Sequence, residues 1–190
     1  MKHIIKPAFS LFIIAAITTA LLGFVFDLTK EPIENQNRLA RDRTMREVLT
    51  RADSFRELNA DIGGNIVKVY EGLAGGNVLG YVLELSVKGY SSDPINLMVG
   101  ILREENQIAG MRILNHSETP GLGSLAARPA FYERFSGLAL NPLRVVKSPP
   151  GPGEIQALTS ATITTNAITS AVNEAIEWYK AYQEYIGGGG

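Results

Sequence analysis

The chain has 190 residues, with 18 lysines and arginines against 19 aspartates and glutamates, two histidines and no cysteine. The missing cysteines exclude disulfides, thiolate zinc sites, cysteine-held iron–sulfur clusters and CxxCH haem attachment within this chain. His3 and His116 alone do not make a multi-histidine metal site, and the near-neutral charge gives no electrostatic footprint for nucleic acid. The length allows one domain of about 100–150 residues and an appendage.

Residues 7–26 (PAFSLFIIAAITTALLGFVF) form an uncharged apolar run near the N-terminus. A helix over this run spans about 30 Å, the thickness of the hydrocarbon core of a bilayer. A cleaved signal peptide usually has a shorter apolar region, of about 7–15 residues, and no small-x-small cleavage site follows this one. Because Lys2 and Lys6 precede the run, the positive-inside rule places the N-terminus in the cytoplasm and the later residues outside. We predict a single transmembrane anchor over residues 1–28.

Residues 29–60 are dense in charge and lack glycine. Pro32 suits the first turn of a helix, and the apolar residues form only a thin stripe. This pattern is typical of a solvated helix with charge pairs between successive turns. We predict a helical stalk between the anchor and a domain over residues 61–186.

The domain begins with β-rich runs over residues 66–70, 79–87, 95–102 and 108–114. The first two are separated by Gly75-Gly76-Asn77, a hairpin signal, so we predict an antiparallel sheet. A short helix over 130–138, an irregular Pro/Gly connection over 147–154 and an amphipathic helix over 165–186 follow. The predicted fold class is α+β, an antiparallel sheet flanked by helices and preceded by a single N-terminal transmembrane helix.

Residues 158–165 (LTSATITT) carry five hydroxyl side chains directly before the final helix. At a helix N-terminus such hydroxyls, together with free backbone N–H groups and the positive end of the dipole, form an anion site suited to phosphate. A β-rich threonine run with an ordinary N-cap from Thr164, Thr165 or Asn166 explains the same pattern, and physical chemistry alone favours it.

A second loop, residues 116–123 (HSETPGLG), contains a Pro-Gly turn, and its glycines allow the backbone to approach a ligand closely. An ordinary long turn is the alternative. A hydrolase built on His116 and Glu118 has little support, because no activated nucleophile or orienting acid accompanies them.

The two loops resemble motifs of the FMN-binding domain family, which includes the G subunit of the Rnf (Rsx) electron-transport complex and the C subunit of the sodium-pumping NADH:quinone reductase. Residues 118–123 resemble its ETPGLG loop, and residues 159–162 (TSAT) resemble its [S/T]-G-A-T motif. Residues 98–101 and 88–90 resemble its sheet signature and the turn before it. The N-terminal helix followed by residues 28–33 (LTKEPI) is similar to the Rnf G subunit, so the similarity covers nearly the whole chain.

The resemblance implies an electron-transfer subunit of an ion-translocating oxidoreductase, with FMN bound covalently through its phosphate to Thr162 by a flavin transferase. It implies partners in membrane subunits A, D and E and peripheral subunits B and C, and a periplasmic or otherwise extracytoplasmic domain on a bacterial inner membrane. It assigns no acid–base catalyst and no metal. The remaining implied cofactor-binding residues are Thr159, Ser160, Ala161, Thr164, Thr165, Glu118, Thr119, Pro120, Gly121, Leu122, Gly89 and Tyr90.

Two positions depart from the family's motif. Ser160 stands where the motif usually has glycine, and Gln156 stands three residues before Thr159, where it usually has aspartate. The acceptor hydroxyl of Thr162 is retained. These departures leave open an alternative function, a cofactor-free structural or interaction subunit of a membrane complex that uses the same fold.

Overall fold

The computed structural model describes residues 2–60 and 63–187, in two compact units that divide between Arg41 and Asp42. Helix α1 (Lys2–Val48) contains the apolar run. Among the described residues it is the one helix long and apolar enough to cross a membrane, and its apolar side chains from Phe9 to Leu28 are exposed.

The helix differs from the prediction at Pro32 and at its end. Pro32 lies inside the continuous helix α1 rather than in the first turn of a separate one. The helix ends at Val48, and strand β1 (Ser54–Glu57) occupies residues predicted as part of the helical stalk. The division into anchor, stalk and cofactor domain stays a prediction.

A five-stranded antiparallel sheet forms the centre of the second unit, and its strands lie in chain order. The strands after β1 are β2 (Ile66–Ala74), β3 (Asn77–Lys88), β4 (Pro94–Leu102) and β5 (Gln107–Asn115). Gly75 and Gly76 connect β2 to β3 with φ of 55° and 84°. Because a two-residue hairpin turn of the favoured type needs positive φ at both positions, this confirms the predicted hairpin.

Both faces of the sheet are covered, which explains why its strands read as nearly continuous apolar runs. Tyr81, Leu83 and Leu85 of β3 face the main core, whereas Val82 faces a smaller cluster with residues from the end of α1. Gly100 of β4 lets the end of α1 lie close to the sheet, since an added Cβ at this position would lie 2.6 Å from the Val48 carbonyl oxygen. Each fully buried leucine or isoleucine contributes about 1.5–3 kcal/mol to stability.

The final helix, α3 (Thr162–Gly187), packs its apolar stripe against the main core. It begins three residues earlier than predicted, so Thr164 and Thr165 lie buried in its first turn instead of capping it. The predicted α+β class with an antiparallel sheet is confirmed.

The segment between β5 and α3 is more broken than predicted. Helix α2 (Pro129–Tyr132) is a single turn that continues into a 3₁₀ turn (Glu133–Phe135), in place of one helix over 130–138. Strands β6 (Arg144–Val146) and β7 (Glu154–Gln156) pair in parallel on either side of the irregular connection, whose last residue therefore belongs to a strand.

Candidate functional site

A cleft of about 520 Å³ lies at the N-terminus of α3. Three separate parts of the chain line it: the loop between β3 and β4, the loop after β5, and the turn that enters α3. The fold therefore brings together the two motifs that the sequence singles out. The lining residues are Tyr90, Glu118, Thr119, Leu122, Gly123, Ser160, Ala161, Thr162, Ile163 and Thr164.

The first turn of α3 presents hydrogen-bond donors at this cleft. The Thr165 N–H donates to the Ala161 carbonyl at 3.0 Å. The N–H groups of the three preceding helical residues come too early in the helix to have an acceptor within it. With the positive end of the helix dipole and the hydroxyls of Ser160 and Thr162 at the cleft, this turn has the chemistry of an anion site.

The turn before α3 is fixed by internal hydrogen bonds. Ala161 N–H donates to the Leu158 carbonyl at 3.0 Å, and Ser160 adopts a left-handed backbone with φ of 61°. Thr165 lies beneath this turn, buried, and Thr159 is exposed. Neither Thr159 nor Thr165 lines the cleft, although both are among the residues predicted from the sequence.

Glu118 is a buried acid in the cleft wall, with 5% of its surface exposed. Its Oε1 accepts the N–H groups of Tyr90 at 2.9 Å and Ser91 at 3.1 Å. Its Oε2 accepts the Thr164 hydroxyl at 2.6 Å. One carboxylate thus joins all three parts of the chain that form the cleft.

Two glycines enclose this carboxylate. An added Cβ at Gly89 would lie 2.3 Å from Glu118 Oε1, and one at Gly123 would lie 2.3 Å from Glu118 Oε2. Gly89 therefore supports the wall from behind without lining the cleft. Pro120 and Gly121 also lie outside the lining, in a turn where Gly121 N–H donates to the Ser124 hydroxyl at 2.9 Å.

Three apolar side chains stand exposed at the cleft. Tyr90 is 70% exposed, Ile163 56% and Leu122 40%. Ile163 and Gly123 are missing from the residues predicted from the sequence. Gly123 closes the ETPGLG motif and could have been included on that ground, whereas only the start of α3 at Thr162 brings Ile163 to the cleft.

The arrangement gives no support to a hydrolase. His116 Nδ1 accepts the N–H of Glu118 at 3.2 Å, so this nitrogen is held by the backbone and does not activate a hydroxyl. Among the described residues, no group of three or more His, Asp or Glu side chains could hold a metal ion.

Family models and known relatives indicate the same family for this chain. The FMN-binding domain family matches residues 89–177, and the RnfG N-terminal region matches residues 1–48. The chain is 30% identical to the G subunit of the ion-translocating oxidoreductase complex of Methanosarcina acetivorans, over 96% of this chain and 97% of that protein. It is 32% identical to the G subunit of the Na⁺-translocating ferredoxin:NAD⁺ oxidoreductase complex of Acetobacterium woodii, over 94% and 93%.

Two solved structures have a similar fold. The NqrC protein of Shewanella oneidensis matches with a TM-score of 0.52 and 22% identity over 66% of both chains. The C subunit of the Na⁺-translocating NADH-quinone reductase from Parabacteroides distasonis matches with a TM-score of 0.59 and 18% identity, over 78% of this chain and 94% of that one. At these identities the likeness concerns the fold alone.

Proposed function

This chain belongs to the family of G subunits of ion-translocating oxidoreductase complexes, and from this premise we propose that it carries FMN and relays electrons within such a complex. The observation that carries the proposal is the cleft, where the TSAT turn, the ETPGLG loop and Tyr90 converge at the start of α3. Relatives are named as subunits of ferredoxin:NAD⁺ oxidoreductases that translocate Na⁺ or protons.

The cleft fits FMN in size and chemistry. Its volume of about 520 Å³ lies within the usual range of small-molecule sites. The N–H groups and hydroxyls at the start of α3 suit a phosphate, and the exposed side chains of Tyr90, Leu122 and Ile163 suit a flat aromatic ring system.

We assign Thr162 as the covalent attachment point. Its oxygen would attack the phosphorus next to the riboflavin part of a phosphoanhydride donor held by a flavin transferase. The Thr162 Oγ1–P bond would form, the anhydride P–O bond would break, the other phosphate ester would leave, and the hydroxyl proton would pass to a base of the transferase. Thr162 lines the cleft at the N-terminus of α3, so a phosphate on its oxygen would lie at the positive end of the helix dipole, where its charge would be stabilised.

FMN supplies one- and two-electron transfer when bound, and the protein supplies binding and tuning. Tyr90, Leu122 and Ile163 would shield the ring system from water, while the first turn of α3 would hold the phosphate. No residue of this chain needs to transfer a proton. Electrons enter and leave through partners, which we propose to be membrane subunits A, D and E and peripheral subunits B and C.

The proposal also assigns a location. Residues 1–28 anchor the chain in the cytoplasmic membrane with the N-terminus in the cytoplasm. Residues 29–60 connect this anchor to the domain over residues 61–186, which holds FMN outside the cytoplasm. Because the chain has no cysteine, His3→Cys and Lys30→Cys can be labelled separately in whole cells with a membrane-impermeant maleimide, and both variants keep Lys2 and Lys6. We expect labelling of Lys30→Cys and protection of His3→Cys. The reverse pattern would contradict the orientation.

The cofactor assignment is tested by co-expressing the full chain with a flavin transferase. The wild type should be yellow, fluoresce in a denaturing gel, and gain the mass of FMN less one water on the peptide that contains Thr162. Thr162→Ala should lose the fluorescence, whereas Ser170→Ala, an exposed position on α3, should keep it. Covalent flavin on Thr162→Ala would contradict the attachment point, and a colourless wild type would favour the cofactor-free alternative.

A further inference from the structure

We infer that Glu118 is a positioning residue of the cleft: its carboxylate holds the first turn of α3 against the loop that carries Tyr90, and thereby sets the direction of Thr162. The inference rests on the proposed function, in which FMN is attached through Thr162. It assigns Glu118 a role that differs from direct contact with the cofactor.

The hydrogen bonds of Glu118 leave little capacity for a ligand. Each carboxylate oxygen has two lone pairs. Oε1 uses both, on the N–H groups of Tyr90 and Ser91. Oε2 accepts the Thr164 hydroxyl at 2.6 Å, which leaves this oxygen one further lone pair.

The surroundings of the carboxylate also argue against a direct contact with the cofactor. Gly89 and Gly123 press against its two oxygens so closely that a methyl group at either position would overlap with them. The side chain is almost fully buried. A bound phosphate would in addition be repelled by a carboxylate that touched it. Glu118 therefore acts through the groups that it holds.

Those groups belong to the binding machinery on both sides of the cleft. Thr164 follows Thr162 by two residues in the same helical turn, so fixing Thr164 fixes the backbone from which Thr162 projects. The other oxygen fixes the backbone of Tyr90, whose exposed ring stands at the same cleft. A displacement of about 1 Å in such a group costs a transfer reaction up to about 100-fold in rate.

The test measures flavin transfer to the full chain in detergent, using a purified transferase and matched folded fractions. Glu118→Ala and Thr164→Val are each expected to lower the kcat of transfer by about tenfold or more. Both variants break the same hydrogen bond, between Glu118 and Thr164, so the double variant should be no slower than the slower single variant. Thr164→Ser, which keeps the hydroxyl, should recover most of the rate lost in Thr164→Val.

Thr169→Val is the matched control, since Thr169 is a buried threonine of the same helix outside the cleft. It should transfer flavin at the wild-type rate. A second readout needs no flavin: hydrogen exchange at the Tyr90 and Ser91 amides should accelerate about tenfold or more in Glu118→Ala, because their acceptor is gone.

The outcomes separate the inference from the function on which it rests. If the wild type accepts flavin and Glu118→Ala accepts it equally fast, the positioning role is overturned. It is also overturned if the two amides stay as protected in Glu118→Ala as in the wild type. If the wild type accepts no flavin, the proposed function fails, and the exchange rates still decide whether Glu118 holds the loop.

Discussion

The hydroxyl of Thr165 bridges the turn that leads into α3, accepting the N–H of Leu158 at 3.1 Å and donating to the Ala161 carbonyl at 3.0 Å. Thr165 is fully buried, and Leu158 and Ala161 are buried with it. Thr169 lies one turn later on the same face and is 3% exposed, yet its hydroxyl has no hydrogen-bond partner among the described residues. The two threonines form a matched pair.

Thr165→Val is therefore expected to lower the free energy of unfolding by about 1–3 kcal/mol, because it leaves the buried Leu158 N–H without its acceptor. Thr169→Val should change it by less than about 0.5 kcal/mol or raise it, because removing an unpaired buried hydroxyl relieves a desolvation cost. Urea unfolding of both variants in detergent measures the difference. Equal losses in the two variants would contradict the role given to Thr165.

At position 160, where the family's motif has glycine and this chain has serine, the backbone conformation favours glycine. The φ of 61° at Ser160 lies in the left-handed region, which costs a residue with a Cβ about 1–2 kcal/mol. Ser160→Gly should therefore raise the free energy of unfolding by about 0.5–1 kcal/mol. Nothing in the structure explains the glutamine at position 156.

The control for this prediction is Ser170→Gly, at an exposed position inside α3. Glycine lowers helix stability there, so we expect a loss of roughly 0.5 kcal/mol. The free energies of unfolding of the two variants, measured by thermal or urea denaturation, should thus change in opposite directions. A loss of stability in Ser160→Gly would show that the serine side chain contributes more than its backbone conformation costs.

Much of the sheet and the last helix could be predicted from the sequence, because their apolar residues recur at the spacing of strands and helices. The segment from Met45 to β1 could not. Val48 and Leu49 belong to the thin apolar stripe that predicts a solvated helix, but they and Met45 are buried because they cover the second face of the sheet. Only contacts distant in sequence reveal that this face needs a cover.

The candidate site, like the fold, can be predicted from the sequence only in part. The TSAT and ETPGLG segments carry a family resemblance that the sequence itself displays, and the comparisons confirm the family. The hydrogen bond between Glu118 and Thr164 joins residues 46 positions apart, so no local pattern signals it. The resemblance also grouped Thr165 with the cofactor-binding residues, while the structure gives its hydroxyl to the turn.

Gly123→Ala tests how tightly the cleft wall is packed. The added Cβ would lie 2.3 Å from Glu118 Oε2 and 2.8 Å from Thr164 Oγ1, so the wall must shift. We expect a loss of about 1–3 kcal/mol in the free energy of unfolding, as for other overpacked sites, together with slower flavin transfer. Gly63→Ala, where a Cβ meets none of the described residues within 4 Å, is the control and should lose neither stability nor transfer rate. If Gly123→Ala changes neither the free energy of unfolding nor the rate of flavin transfer, the wall of the cleft is not tightly packed.

The carboxylate of Glu154 should make the stability of the fold sensitive to acid. The N–H of Gly151 donates to Glu154 at 2.8 Å, and this bond, together with the hydrogen bond and charge of Arg144, holds the pKa of Glu154 below its ordinary value of 4.5. Because the pKa is lower in the folded than in the unfolded chain, the stabilisation is present above the unfolded value and is lost as pH falls through the folded one. Glu154→Gln should thus lower the Tm at pH 7. The difference in Tm between this variant and the wild type should shrink as the pH falls below 4.5. Arg144→Gln leaves the largest single cause, the hydrogen bond from Gly151, in place, so a carbon-13 titration of Glu154 in that variant should still give a pKa below 4.5. An effect of Glu154→Gln that stays constant across this pH range would contradict the linkage.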